Sequence, residues 1–232
     1  MHVIVTGASR GIGAGIARVL GRAGLSVGLL ARDRAALETI AAEIRAGGGS
    51  AELEACDLRD PDATFDAIEQ LVVRLGGVDA LVNNAGLVIR KSVLDLSVDE
   101  WRDMLATNVS GVFYATRAVL PRLRAQGSGH IINVSSISGR WPLAGGSGYA
   151  ASKFAVTGFS QSLFQEVRDW GIKVTTIYPG SVATERHGDD ERASTWKLRP
   201  EEVGEAVRDL LRTGPGNCIS EVEIRPLRRP PR

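Results

Sequence analysis

Tyr149 and Lys153 stand four residues apart in Ser147-Gly148-Tyr149-Ala150-Ala151-Ser152-Lys153, at the start of a stretch with helical period. A helix places positions i and i+4 on one face, so the phenol and the ammonium can act jointly. A free phenol has a pKa of about 10, too high for ready proton exchange near neutrality, and a neighbouring ammonium stabilises the phenolate and lowers it. The pair is a candidate proton-transfer device. Its spacing alone is weak evidence, because a tyrosine four residues before a lysine is usually an ordinary surface pair.

Thr6-Gly7-Ala8-Ser9-Arg10-Gly11-Ile12-Gly13 follows the first strand-like run and opens a helical one. In that context glycines let the backbone turn sharply and approach a pyrophosphate, whose charge meets unpaired N–H groups and the positive end of a helix dipole. An ordinary strand-to-helix turn is the plainer alternative.

The elements that must position these groups are legible as alternating periods. Val3–Val5, Val27–Leu30, Ala51–Ala55, Ala80–Val82, His130–Val134, Val174–Ile177 and Ile219–Ile224 read as strands. Ile12–Arg22, Ala35–Arg45, Pro61–Leu75, Val98–Arg124, Ala150–Asp169 and Glu201–Arg212 read as helices. Asp60 before Pro61 suits an N-cap and first helical position, and Ser97-Val98-Asp99-Glu100 fits a capping box. Strands regularly separated by helices predict parallel pairing with right-handed crossovers, hence a doubly wound, Rossmann-type α/β sheet of about seven parallel strands. With no repeat or linker dividing it, the chain is expected to form one domain over residues 1–226, followed by a basic, proline-rich tail over 227–232.

Composition narrows the function classes. The 232 residues are 44% hydrophobic, enough for a full core, and 28 basic against 27 acidic residues leave a net charge of +1. Such balance gives no long-range pull toward nucleic acid or an anionic membrane surface and favours a small-molecule partner. No run approaches the ~20 apolar residues of a membrane span. Cys56 and Cys218 lie far apart without neighbouring histidines, which predicts neither a disulfide framework nor a zinc site, and His2, His130 and His187 suggest no other metal. No basic leader precedes the first strand, so a complete cytoplasmic protein is expected. A serine hydrolase is disfavoured for want of a Gly-x-Ser-x-Gly elbow in the right context.

The spacing Gly-x-x-x-Gly-x-Gly departs from the Gly-x-Gly-x-x-Gly of long-chain dinucleotide dehydrogenases. Together with Asn83-Asn84-Ala85-Gly86, Tyr149-x-x-x-Lys153 and Pro179-Gly180, it resembles the short-chain dehydrogenase/reductase family, with matching motifs from Thr6 to Thr184. The resemblance implies an oxidoreductase that interconverts a carbonyl and an alcohol by nicotinamide hydride transfer, with Tyr149 as general acid and base. It assigns Ser136, thirteen residues before Tyr149, to hold the substrate oxygen, in preference to its neighbours Ser135 and Ser138. Lys153 would also bind the nicotinamide ribose, and Asn108 would hold a water linking Lys153 to solvent; a polar helix residue satisfying local backbone is the other reading of Asn108. Gly7, Ser9, Arg10, Gly11, Ile12 and Gly13 would cradle the phosphates, and Asp57 and Leu58 would hold the adenine. Asn83, Ala85 and Gly86 would lie beside the cofactor and steady the central sheet. Pro179, Gly180, Val182 and Thr184 would pack on the nicotinamide.

Residues at the tip of the second strand discriminate between cofactors. An acid there would accept ribose hydroxyls and repel a 2′-phosphate, but Ala31 is neutral, Arg32 follows it, and Arg10 lies in the phosphate turn, so NADP is expected over NAD. Asp33 sits about 20 residues beyond the glycines, where an NAD-type acid would stand, yet it also precedes the helical Arg34-Ala35-Ala36-Leu37 and reads as an N-cap. The family's substrate loop corresponds to Glu185–Leu198, including Arg186, His187, Asp189, Asp190, Glu191, Arg192 and Trp196, and Arg140, Trp141 and Leu143 are candidates to border the same pocket. The ending Ser220–Pro226 departs from the glycine-rich terminus of many 3-oxoacyl reductases, which puts an acyl-carrier substrate in doubt. Family members often assemble through the helices matching Val98–Arg124 and Ala150–Asp169, so a homotetramer or homodimer is expected. The alternative function is an NADP(H)-binding sensor or scaffold without turnover.

Overall fold

A computed structural model describes residues 1–142, 144–184 and 195–228. Leu143, most of the expected substrate loop (185–194, with Arg186, His187, Asp189, Asp190, Glu191 and Arg192) and the end of the basic tail (229–232) lie outside the described residues. Seven strands, β1 (His2–Thr6), β2 (Ser26–Ala31), β3 (Ser50–Ala55), β4 (Ala80–Asn83), β5 (Gly129–Val134), β6 (Ile172–Pro179) and β7 (Glu221–Ile224), form one parallel sheet in the order β3-β2-β1-β4-β5-β6-β7. The chain works outward from β1 to β3 and returns to place β4 on the other side of β1. That reversal opens a crevice beyond the carboxyl ends of β1 and β4, where open α/β sheets take their ligands.

Strand residues are apolar on both faces because each face is covered. Val3 and Val5 point into the layer of α1 (Gly11–Arg22), α2 (Arg34–Ala46) and α7 (Pro200–Leu211), among Leu20, Leu37 and Val203. Ile4, between them, points to the opposite layer of α3 (Pro61–Leu75), α5 (Gly111–Gln126) and α6 (Ser147–Val167), with Ile68, Leu123 and Leu163. Local chemistry starts several helices as the sequence predicts. Asp33 accepts the Ala36 N–H at 3.1 Å, Asp60 accepts that of Ala63 at 3.1 Å with Pro61 first in the helix, and Ser97 and Glu100 close a reciprocal capping box on α4 (Val98–Leu105).

Two expectations are corrected. The run Val98–Arg124 is not one helix: α4 passes through a π-helical turn, Ala106–Ser110, before α5 begins. A single widened turn leaves the apolar spacing nearly unchanged, so periodicity does not reveal it. The last strand starts at Glu221 rather than Ile219, because the Thr175 hydroxyl takes the Ile219 carbonyl at 2.6 Å in place of a ladder bond.

Thr175 also meets the Nε2 of buried His130 on β5 at 2.8 Å. With its own hydrogen committed to Ile219, Thr175 Oγ1 accepts from His130, which fixes the Nε2–H form of the ring. Burial, with a smaller contribution from the nearby Lys173 ammonium, pushes the His130 pKa down to about 4. The unfolded chain therefore binds a proton that the folded chain refuses between about pH 6.5 and pH 4. The stabilisation is complete above pH 6.5 and should fall by about 3 kcal/mol as pH drops through that window. Denaturant midpoints measured across the window should show this acid slope in the wild type and a flatter one in His130→Gln; identical slopes would exonerate His130.

Candidate active site

Every strand from β1 to β6 sends a motif into the crevice. At β1, Gly7 adopts φ +66°, and a Cβ there would sit 2.7 Å from the Ala85 Cα; at Gly13 a Cβ would sit 2.1 Å from the Gly7 carbonyl oxygen. Only glycine fits either position. The turn is clamped to β4 by polar contacts: the Thr6 hydroxyl accepts the N–H groups of Asn84 and Ala85 at 3.0 and 3.1 Å, and the Asn84 side-chain amide donates to the carbonyls of Thr6 and Gly7 at 3.0 and 3.3 Å. Thr6 and Asn84 were not singled out in the sequence, where nothing marks them as partners 78 residues apart.

Helix α1 has no side-chain cap and no acidic residue in its first turn, and Arg10 precedes it in extended backbone. Its first N–H groups thus face the crevice uncontested by a carboxylate, whereas α2, α3 and α4 are each capped by a side chain. Such an end suits a phosphate. Arg10 and Arg32 are both exposed at this rim. Asp33, the rival acid, is bound to its own helix as a cap.

Asp57 is not bare. Both of its oxygens accept from Arg59, at distances from 2.7 to 3.1 Å, while Arg59 Nη1 reaches Asp103 on α4 at 2.8 Å. The Arg59 hydrogen bonds, with Arg32 contributing at longer range, hold the Asp57 carboxyl below the usual carboxylate range. Nothing in the sequence distinguishes Arg59 from the chain's other arginines. Leu58 is buried beside Gly111, whose Cβ position lies 3.1 Å from it.

Asn83 turns inward rather than toward the crevice. Its amide donates to Thr116 and Asn133 at 3.0 and 2.8 Å, and Asn133 donates in turn to Ser160, joining β4, β5, α5 and α6 below the site. Its side chain therefore performs the sheet-steadying part of the expectation only. Gly86 lies between two of the candidate residues, its Cβ position being 3.5 Å from Asn108 Oδ1 and 3.6 Å from Lys153 Nζ.

Asn108 occupies the π turn and is fully buried. Its side chain accepts the Leu87 N–H at 2.6 Å and donates to the Leu87 carbonyl at 2.8 Å and to Ser152 at 2.9 Å. It satisfies the backbone of Leu87, 21 residues earlier in the chain, and through Ser152 grips α6 one residue before Lys153. Lys153 is 4% exposed, donates to the Val134 carbonyl at 2.9 Å, and holds its ammonium 6.0 Å from the centre of the Tyr149 ring. Tyr149 is 8% exposed and lines a cavity of about 60 Å³ with Ser138, Arg90 and the chain from Ala144 to Gly146.

Ser136 follows β5 with extended backbone, and its oxygen accepts the Ser138 N–H at 3.1 Å. A hydroxyl that already accepts still has its hydrogen to give. Ser138 rather than Ser136 borders the cavity, while Ser135 is buried and donates to the Lys153 carbonyl at 3.1 Å. Arg140 and Trp141 do not border it. The Arg140 guanidinium lies 4.1 Å over the Tyr178 ring and pairs with Glu221 and Glu223, tying the serine turn to β7. Beyond β6, the Gly180 N–H donates to the Ile224 carbonyl at 2.7 Å, and Val182 bridges Leu198: the Ala183 N–H donates to the Leu198 carbonyl at 2.8 Å and the Leu198 N–H to the Ser181 carbonyl at 2.9 Å. Among the described residues there is no cluster of His, Cys, Asp and Glu suited to a metal, and no helix is long and apolar enough to cross a membrane.

This arrangement matches known proteins along its whole length. The family model described as short chain dehydrogenase matches residues 1–194. An "uncharacterized oxidoreductase" of Staphylococcus saprophyticus is 36% identical over 225 residues, covering 97% of this chain and 96% of the relative. Among solved structures, an alcohol dehydrogenase from the archaeon Thermococcus sibiricus in complex with 5-hydroxy-NADP is 30% identical with a TM-score of 0.91, covering 100% of this chain and 98% of that one. The closed form of a serine dehydrogenase complexed with NADP+ is 35% identical with a TM-score of 0.90, covering 98% and 95%. By its match to the family model over residues 1–194 and to relatives along nearly its full length, this chain belongs to the short-chain dehydrogenase family and is an oxidoreductase.

Proposed function

We propose that this oxidoreductase interconverts a carbonyl and an alcohol on a small-molecule substrate, with NADP(H) as its cofactor. The observation that carries the reading is the Tyr149 phenol facing a cavity with the buried Lys153 ammonium held beside its ring. The residues present fit a dinucleotide: the crowded Gly7–Gly13 turn and the uncapped start of α1 suit a pyrophosphate, and Arg10 and Arg32 suit a 2′-phosphate. The NADP-type ligands of both solved neighbours support the same choice. Asp57 and Leu58 would hold the adenine, with Arg59 orienting the Asp57 carboxylate. The Asn83–Gly86 turn would lie alongside, Tyr149 and Lys153 would meet the nicotinamide ribose, and Pro179, Gly180, Val182 and Thr184 would meet the nicotinamide.

When bound, NADPH supplies hydride to the carbonyl carbon. Tyr149 then gives its phenolic proton to the carbonyl oxygen as negative charge develops there, and takes it back in alcohol oxidation. Ser136, whose oxygen accepts the Ser138 N–H, keeps its own hydrogen to give and would hold the same substrate oxygen. Lys153 is kept in position by the Val134 carbonyl, so its charge faces the phenol without reorganisation. Asn108 is a positioning residue: it fixes the Leu87 backbone and Ser152 on either side of the pair.

The same reading takes residues 1–226 as the working domain of a cytoplasmic enzyme, with 227–232 as a tail outside it. It also takes α5 and α6 as the surface between subunits of a homodimer or homotetramer. Phe113 (42%) and Phe154 (44%) stand exposed on these helices, and Phe113 meets Phe159 edge to face at 6.4 Å. Phe113→Asp should lower the mass measured by sedimentation velocity; an unchanged mass would move the interface elsewhere.

Purified protein mixed with NADPH and a panel of aldehydes, ketones, diketones, quinones and oxo acids should consume NADPH. Tyr149→Phe should abolish that consumption, and Ser136→Ala should lower kcat/KM by about 100-fold, while Ser138→Ala costs only a few-fold. Tight NADPH binding without turnover on any member would favour a sensor instead. Arg10→Ala combined with Arg32→Ala should raise the Kd for NADPH by about 10- to 100-fold, with NADH changed less than about threefold, because only NADPH carries the 2′-phosphate. Equal losses for the two cofactors would refute the NADP assignment.

A further inference from the structure

The cavity that Tyr149 shares is lined by Arg90, Ser138, Ala144, Gly145 and Gly146. Among the described residues that line it, the one ionic side chain is a guanidinium and none is acidic. Arg90 forms no ion pair or hydrogen bond with any other described residue, although its neighbour Lys91 is paired with Glu100 at 2.6 Å. Arg90 itself is exposed; three residues earlier both backbone groups of Leu87 are held by Asn108, and one residue later the Lys91 side chain pairs with Glu100 on α4.

The lining glycines add field of the same sign. Gly145 and Gly146 lead into α6, a helix of 21 residues without a side-chain cap and without an acidic residue in its first turn. The positive end of its dipole therefore faces the cavity. A guanidinium and an uncapped helix end on one small cavity, with no carboxylate among its described lining residues, favour an anionic group there.

We infer that the substrate of this enzyme carries a carboxylate near its reacting carbon, and that Arg90 is the residue that selects it. This rests on the oxidoreductase reading above, since the carboxylate is placed relative to Tyr149. The small residues Ala144, Gly145 and Gly146 leave room for a compact acid. The fixed fork of the guanidinium matches the two oxygens of a carboxylate, which an ester cannot reproduce.

The test compares acids with their neutral twins: 2-oxopropanoate, 3-oxobutanoate and 4-oxopentanoate, each against its methyl ester, with NADPH consumption followed for wild type, Arg90→Gln and Arg90→Lys. In at least one pair the wild type should prefer the acid. Arg90→Gln should lower the ratio of kcat/KM for acid over ester by roughly 10- to 100-fold, mainly through KM, and Arg90→Lys should restore part of it. Turnover confined to uncharged substrates, or losses in Arg90→Gln that are equal for acid and ester, would overturn the carboxylate assignment and leave the oxidoreductase reading intact. Failure on these pairs together with failure on the whole carbonyl panel would take down both.

Discussion

The close approach between the turn after β1 and the turn after β4 governs the rest of the site. Gly7 and Gly13 leave no room for a Cβ, and the Asn84 amide and the Thr6 hydroxyl bond the two turns across the sheet's reversal point. From this junction the structure runs in two directions. Toward β2 and β3 it continues as the rim carrying Arg10, Arg32 and the Arg59-held Asp57. Toward α5 and α6 it passes through Gly86, which touches the surroundings of both Asn108 and Lys153. Cofactor cradle and proton-transfer pair are thus set by one contact, and a side chain larger than hydrogen at Gly7 or Gly13 would disturb both.

A buried ammonium is costly unless hydrogen-bonded. Lys153 tolerates burial because the Val134 carbonyl, at the end of β5, accepts from it, while α6 itself is secured by Asn108 through Ser152 and by Ser135 on the Lys153 carbonyl. The π turn is part of this arrangement, since it carries Asn108 between the Leu87 backbone and α6. What looks like an irregularity in a long helix is a means of placing one buried amide.

Charge around the site is distributed unevenly. Among the described residues, acids near the crevice are committed elsewhere: Asp33 to its helix cap, Asp57 to Arg59, and Glu221 and Glu223 to Arg140. The cations Arg10, Arg32 and Arg90 remain exposed at the rim and cavity. The result is a site prepared for anions in a chain whose net charge is only +1.

Alternating apolar periods and local caps determined the order and type of nearly every element, because both are written within a few residues: Asp33, Asp60-Pro61 and Ser97–Glu100 act on their own helix ends. Glycine spacing and the Tyr149, Lys153 interval likewise carried their meaning in sequence. Contacts between distant segments were decided only by the tertiary structure. Thr6 with Asn84, Arg59 with Asp103, Asn83 with the core, and Arg90 beside Tyr149 follow from strand order and helix docking, which bring together residues that no local pattern links. The π turn was hidden for a related reason. Its consequence is a change of direction for one buried side chain, and periodicity averages such a change away.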